Sequence, residues 1–417
     1  MNNRLNCLVL GIGTALIGGC AKPQPVEYEP NMVLAHAMEL AIEYPMSQAL
    51  SEAQVALGEL FGTPDEPKLP AFLDEDLKGL LNEDHLRKAS GPVGEPERGL
   101  YRKHCASCHG DSGHGRGVNA AISNPYPRDF RMGKFKFKST ARGAKPLKAD
   151  LHETISNGIA GTTMVRIAEL STGDIDALVD YVIYLSWRGE VERELLRVAG
   201  DIEFESEEPG VLKNLYAVGT DLFEEEQVPQ LHEIVNSIGQ AWLDADQQVK
   251  QVPQAGEVPV DASLDELIAA ATGSLDSPLK ASIARGKELF NSETAACSKC
   301  HGSLGHGDGQ NQDYDDWTKD WTIRFDLDPK SDKDLIPLLA RGALPPRTIL
   351  PRDFRDGVYR GGGTAEKLYH RIAFGIDGTP MPSIEGVVAE QDIWHLVNFV
   401  RSLAMPAQEA GSQAKVP

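Results

Sequence analysis

The chain has 417 residues, ordinary hydrophobic content at 41% and a formal charge of −21. That length suggests two or three domains. The acidity argues against nucleic acid, which requires a positive footprint, and favours a solvated acidic surface.

In chain order, residues 1–19 read as an export signal. One charge, Arg4, precedes the apolar run LNCLVLGIGTALIGG, which stops at Cys20. The run is too short for a membrane span. Ile17-Gly18-Gly19-Cys20 resembles a bacterial lipoprotein signal, so Cys20 is expected to carry a lipid anchor. Ala21 after the cysteine resembles an outer-membrane sorting signal, which places the mature chain on the periplasmic side. Residues 20–90 are expected to be a lipidated tether and helical arm. The tether is Pro-rich, and 31–62 form one or two amphipathic helices interrupted at Pro45.

There are six cysteines. Cys7 lies in the signal and Cys20 at its end. The other four form two Cys-x-x-Cys-His motifs, Cys105-Ala-Ser-Cys108-His109 and Cys297-Ser-Lys-Cys300-His301. Two thiols three positions apart can each add to a vinyl group of one haem, and the next residue presents an imidazole to its iron. A zinc site would combine four Cys/His ligands, and a redox dithiol would not need the immediate histidine. Two complete motifs in an exported chain with no cysteine left for a disulfide point to two covalently bound c-type haems.

The surroundings of the motifs repeat. His109-Gly-x-x-Gly113-His114-Gly115-x-Gly117 matches His301-Gly-x-x-Gly305-His306-Gly307-x-Gly309, and Pro127-Arg-Asp-Phe130 matches Pro351-Arg-Asp-Phe354. Residues 151–164 then align without gaps on 368–381, with seven of fourteen positions identical. Each repeat closes on a helical pattern: apolar residues at 175, 178, 179, 182 and 185 recur at 393, 396, 397, 400 and 403. A whole domain is therefore duplicated.

This order of helix, CxxCH, glycine-rich loop, Gly-x-x-Met segment and terminal helix closely resembles class I cytochrome c over 91–188 and 281–405. The resemblance implies an all-α fold, with opening helices over 96–104 and 282–292 crossing the last helices. It implies His109 and His301 as proximal ligands and Met164 and Met381 as distal ligands. A thioether closes the iron to substrate and suits it to electron transfer. The rivals are weaker. Met132 has no counterpart, His114 and His306 lie in what reads as a surface loop, and His370 and His395 are unpaired between repeats. Arg128 and Arg352 could each meet a haem propionate or a neighbouring aspartate, Asp129 or Asp353.

Residues 189–280 hold twenty acidic side chains against five basic and read as an acidic helical connector, with helices expected over 211–223 and 228–249 and a loop over 251–263. The second repeat is about thirty residues longer between its glycine loop and Pro351, a stretch that contains Trp317 and Trp321. Lys134-Phe-Lys-Phe-Lys138 is a basic island that reads as a half-exposed strand or a docking spot. Residues 406–417 are expected to be a disordered tail.

The expected function is electron transfer. A membrane-tethered dihaem cytochrome would relay single electrons between redox protein partners of a respiratory chain, on its own or as a subunit of a quinol-oxidising or terminal oxidase complex. The alternative is a dihaem peroxidase or small-molecule dehydrogenase subunit, which requires one iron open to substrate.

Overall fold

The computed structural model describes residues 26–201, 223–273 and 276–405. The signal segment with Cys20, the 211–222 stretch and the 406–417 tail lie outside the described residues. The fold is all-α: sixteen α-helices and a single two-residue strand pairing, Asp313–Tyr314 with Thr348–Ile349, occur among the described residues. None of these helices is long and apolar enough to cross a membrane.

The second repeat forms the simpler unit. Ser277 caps the helix Pro278–Phe290, which crosses the closing helix Glu390–Ser402. Gly286 makes the crossing tight, because a Cβ there would lie 2.0 Å from the His395 carbonyl oxygen. Ile283, Leu289 and Phe290 pack on Ile393, Leu396, Val397 and Val400 to form the core.

The first repeat departs from this plan. Its opening helix, expected over 96–104, is confined to Leu100–His104. Pro96 and a left-handed Gly99 (φ +81°) interrupt it, and a separate capped helix, Glu83–Ala89, precedes the break. The closing helix runs from Thr172 to Asp201, well past its counterpart. The extension is used by the arm. Helices Met32–Ile42 and Ser47–Phe61, divided around Pro45, bury Leu34, Leu57 and Phe61 in one core with Val191, Leu195 and Leu196.

The connector helix Val228–Leu243 lies on the same long helix, where Trp187 Nε1 donates to the Val235 carbonyl at 2.9 Å. Residues 251–263 then cross irregularly to the second unit. There Arg401 donates to the carbonyls of Val260 and Ala262.

The two units meet along a polar seam. The basic island is not a strand. Lys134 pairs with Asp316, Lys136 with Asp315 at 3.7 Å and Lys138 with Asp377 at 2.7 Å, so its charge is used inside the molecule. The long insertion of the second repeat supplies Asp315 and Asp316. It also supplies Trp317, whose Nε1 donates to the Asp129 carbonyl at 3.1 Å, and Asp320, which takes both Nη groups of Arg193 at 2.7 Å.

Candidate functional site

Each CxxCH motif begins a short helical turn, Ala106–His109 or Ser298–His301, and the chain then folds back over it. Gly115 N–H donates to the His109 carbonyl at 2.8 Å and Gly117 N–H to the Cys108 carbonyl at 3.0 Å. Gly307 and Gly309 do the same to His301 and Cys300 at 2.9 and 3.1 Å. Glycine is required at 117 and 309, because a Cβ at either would come within about 2.5 Å of the motif backbone.

The Pro-Arg-Asp-Phe repeat explains itself at this point. The ring Nδ1 of His109 lies 3.1 Å from the Arg128 carbonyl oxygen, and that of His301 lies 3.4 Å from the Arg352 carbonyl. A carbonyl accepts only from a protonated Nδ1, so Nε2 is the nitrogen left free for a metal. Phe130 stacks on His109 with centroids 4.6 Å apart, and Phe354 stacks on His301 at 4.7 Å. Asp129 and Asp353 cap the next turn through the amides of Arg131 and Arg355, both at 3.0 Å. The two phenylalanines were not singled out from sequence, although their recurrence in the motif was the available signal. Burial pushes the His109 imidazole down to about 4, opposed by its bond to Arg128, and likewise lowers His301. Both rings are therefore neutral at pH 7, as a ligand must be. Burial pushes the Cys105 thiol up to about 12 and Cys297 up to about 11. Cys105, Cys108, Cys297 and Cys300 are all free of disulfides.

The methionine segments are also built alike. Thr162 Oγ1 donates to the Ile159 carbonyl at 2.7 Å and accepts from Met164 N–H at 3.1 Å. Thr379 repeats this with Ile376 at 2.8 Å and Met381 at 3.2 Å. Gly158 and Gly375 start the two turns with φ of +67° and +74°. Thr163 Oγ1 donates to Ser123 Oγ at 3.1 Å, which joins the first methionine segment to the loop that follows CxxCH.

Three of the rival side chains, His114, His370 and His395, are engaged elsewhere. His114 is buried rather than on the surface. Its Nε2 pairs with Glu29, and its Nδ1 accepts from Arg116 N–H at 2.9 Å. His370 Nε2 faces the Ser139 carbonyl at 3.1 Å, and His395 Nδ1 faces Ser282 Oγ at 2.8 Å. Neither expected aspartate partner holds for the motif arginines. Asp129 pairs with Arg131 and Asp353 with Arg355, because the capping turn directs each carboxylate forward. Arg128 instead stacks 3.7 Å over the Trp317 ring and faces Asp315. Arg352 donates to the Val358 carbonyl at 3.2 Å.

Paired thiols beside a neutral, oriented imidazole fit a covalently attached haem. A haem also carries two carboxylates. Among the described residues, the buried Nε atoms of Arg352 and Arg360 have no acceptor, as expected of cations placed to receive such carboxylates. The cytochrome c family model matches residues 98–186 and again 283–404, more than half the chain.

The chain belongs to the cytochrome c family. As a cytochrome c with two such domains, it carries two covalently bound haem c groups and has a haem-based redox or electron-transfer role. No curated protein matches it. Among solved structures it is similar to a chain of the Kuenenia stuttgartiensis reducing HAO-like protein complex, with 21% identity and a TM-score of 0.43, covering 81% of this cytochrome and 100% of that chain.

Proposed function

We propose that this cytochrome c is an electron carrier. It would relay single electrons between respiratory-chain partners through two haems, each held by two thioethers and closed by histidine and methionine. Cys105, Cys108, His109 and Met164 would serve the first haem, and Cys297, Cys300, His301 and Met381 the second. The haem supplies the one-electron chemistry, and the protein sets its potential and access.

The observation that carries this reading is the identity of the two sites. Both hold the proximal ring by the same carbonyl bond, and both shape the methionine segment by the same threonine turn. An enzyme with one permanently open iron would be expected to lack the methionine, or its threonine turn, at one site.

We further propose that a lipid on Cys20 tethers the chain to the periplasmic side of a bacterial membrane, with the outer membrane favoured by Ala21. The Pro-rich residues before Tyr28 would act as the spacer.

A redox titration of the full-length dihaem protein, with and without carbon monoxide or peroxide, tests the carrier role. Two six-coordinate haems that do not react with peroxide are expected, and rapid peroxide turnover at either haem would overturn it. Met164→Ala and Met381→Ala should each remove one haem's share of the sulfur-to-iron charge-transfer band. An unchanged band in both would remove the methionines from the ligand set.

A further inference from the structure

The two methionine segments share a local design but differ in what surrounds them. In the second, Asp377, Gly378, Thr379 and Met381 are each held by the first unit or by the insertion that faces it. The Arg142 guanidinium spans the turn, with Nη1 donating to the Met381 carbonyl at 2.8 Å and Nη2 to the Thr379 carbonyl at 2.9 Å. Asp377 accepts from the Lys138 ammonium at 2.7 Å and from Gly143 N–H at 2.9 Å. The Lys138 and Asp377 side chains are only 4% and 5% exposed. Trp317 covers Gly378, where a Cβ would lie 2.3 Å from the indole, and Asp316 N–H donates to the Gly378 carbonyl at 3.0 Å.

The first segment is tied mainly at one remove: Thr163 bonds Ser123 Oγ, and it is the Ser123 and Ala121 carbonyls, outside the segment, that accept from the second unit's Arg347 at 2.9 and 3.2 Å. Ala160 stands in register with Asp377 and offers no charge to hold. Among the described residues, the segment's direct hydrogen bond from the second unit is a 3.4 Å contact of Arg360 to the Gly161 carbonyl, with Val358 and Arg352 packed beside Gly161. Ala160, Gly161 and Thr163 are exposed, whereas Asp377, Gly378 and Thr379 are buried.

We propose that the first haem unit, through Arg142 and the Lys138–Asp377 pair, is the positioning lock on the sixth-ligand segment of the second haem, and that the second unit reaches the first haem's segment mainly indirectly, through the loop at Ser123. This rests on the reading of Met164 and Met381 as distal ligands. A thioether leaves an iron only if its chain segment moves. Such local openings are governed by how strongly a segment is tied, which varies across one protein. A forked arginine on two carbonyls and a desolvated ion pair are strong ties. An external ligand therefore competes with Met164 before Met381. Arg142 is a positioning residue and touches no haem atom in this role.

The test uses the full dihaem protein with carbon monoxide as the probe, reading the charge-transfer band and the carbon monoxide taken up per haem. In the wild type, carbon monoxide should enter the first haem preferentially, so Met164→Ala should remove the more reactive methionine-ligated site. Arg142→Ala, a change at an exposed side chain that spares both cores, should weaken the second haem's share of the band. It should also raise carbon monoxide uptake there by roughly tenfold, the scale of one lost charge-assisted bond. Arg142→Lys, which keeps the charge but not the fork, should restore only part of the wild-type behaviour. Asp377→Asn should act in the same direction as Arg142→Ala. If Met381→Ala removes half the band while Arg142→Ala and Asp377→Asn leave band and uptake at wild-type values, the lock is refuted and the ligand reading stands. If Met381→Ala itself leaves the band intact, the ligand reading fails first.

Discussion

Tyr101 packs on Tyr181 with ring centroids 5.0 Å apart, and the second unit places Phe290 on Phe399 at 5.2 Å in the same register. The pair marks the point where each opening helix meets its closing helix. Only the first has hydroxyls, and Tyr101 uses its own to donate to the Gly110 carbonyl at 2.9 Å, next to His109. Tyr101→Phe should therefore keep the crossing, as Phe290 does, and cost about 1 kcal/mol for one lost hydrogen bond, since the Gly110 carbonyl keeps its bond from Gly113 N–H at 3.1 Å. Tyr101→Ala should cost about 3–5 kcal/mol. Guanidinium unfolding followed at the haem absorbance measures both.

Gly286 lets two helix backbones touch in the second unit. Gly286→Val must push the helices apart, at a cost of about 1–3 kcal/mol. Pyridine haemochrome analysis should show protein recovered with a deficit at the second haem, because the first unit does not depend on that crossing.

Glu192 is fully buried on the long helix. It accepts from Asn31 N–H at 2.7 Å and Gln54 Nε2 at 2.6 Å, and it faces Arg188 at 3.8 Å. Glu192→Ala would leave the buried Arg188 charge without its counter-ion and the Asn31 and Gln54 N–H groups without their acceptor, at a cost of about 3–5 kcal/mol. Limited proteolysis should then cut within 26–62 while the second unit stays resistant.

Asp174 lies in the first turn of the long helix. The Lys88 ammonium at 2.7 Å, with the Ser171 hydroxyl and amide, holds its carboxyl down at about 2. The lowered value means that the stability it confers is present above the ordinary value of 3.8 and is lost as pH falls through about 2. The difference between wild type and Asp174→Ala in acid denaturation should be about 1 kcal/mol above pH 4, the usual worth of a helix cap. It should shrink below that pH.

The haem motifs, the glycine loops, the methionine turns and both closing helices were legible in the sequence because each is local. Spacing and periodicity record what a backbone does within a few residues. The purpose of Pro-Arg-Asp-Phe was half legible. Its recurrence was visible, but the stacking of Phe130 on His109 depends on a chain reversal that no local pattern encodes. The basic island misled for the same reason. Alternating Lys and Phe look like a strand until Asp315, Asp316 and Asp377, the last of them 239 residues from its lysine, claim the lysines one by one. The shortened helix before Cys105 had its cause in view, Pro96 and Gly99, but the period over the remaining residues concealed it. The arm's attachment to Val191 and Leu195 was hidden because the closing helix was expected to stop where its counterpart does.

Trp317 hydrogen-bonds to Asp129, one residue from the carbonyl that orients His109, and lies flat against Gly378, three residues from Met381. One side chain thus spans from the segment that orients His109 in the first site to the methionine segment of the second. Thermodynamic linkage then applies in both directions. Whatever free energy the redox state of the first centre exerts on the second through this bridge, the second returns in equal measure. The two midpoint potentials of this protein are a shared property of the pair, and each should be quoted with the state of its neighbour.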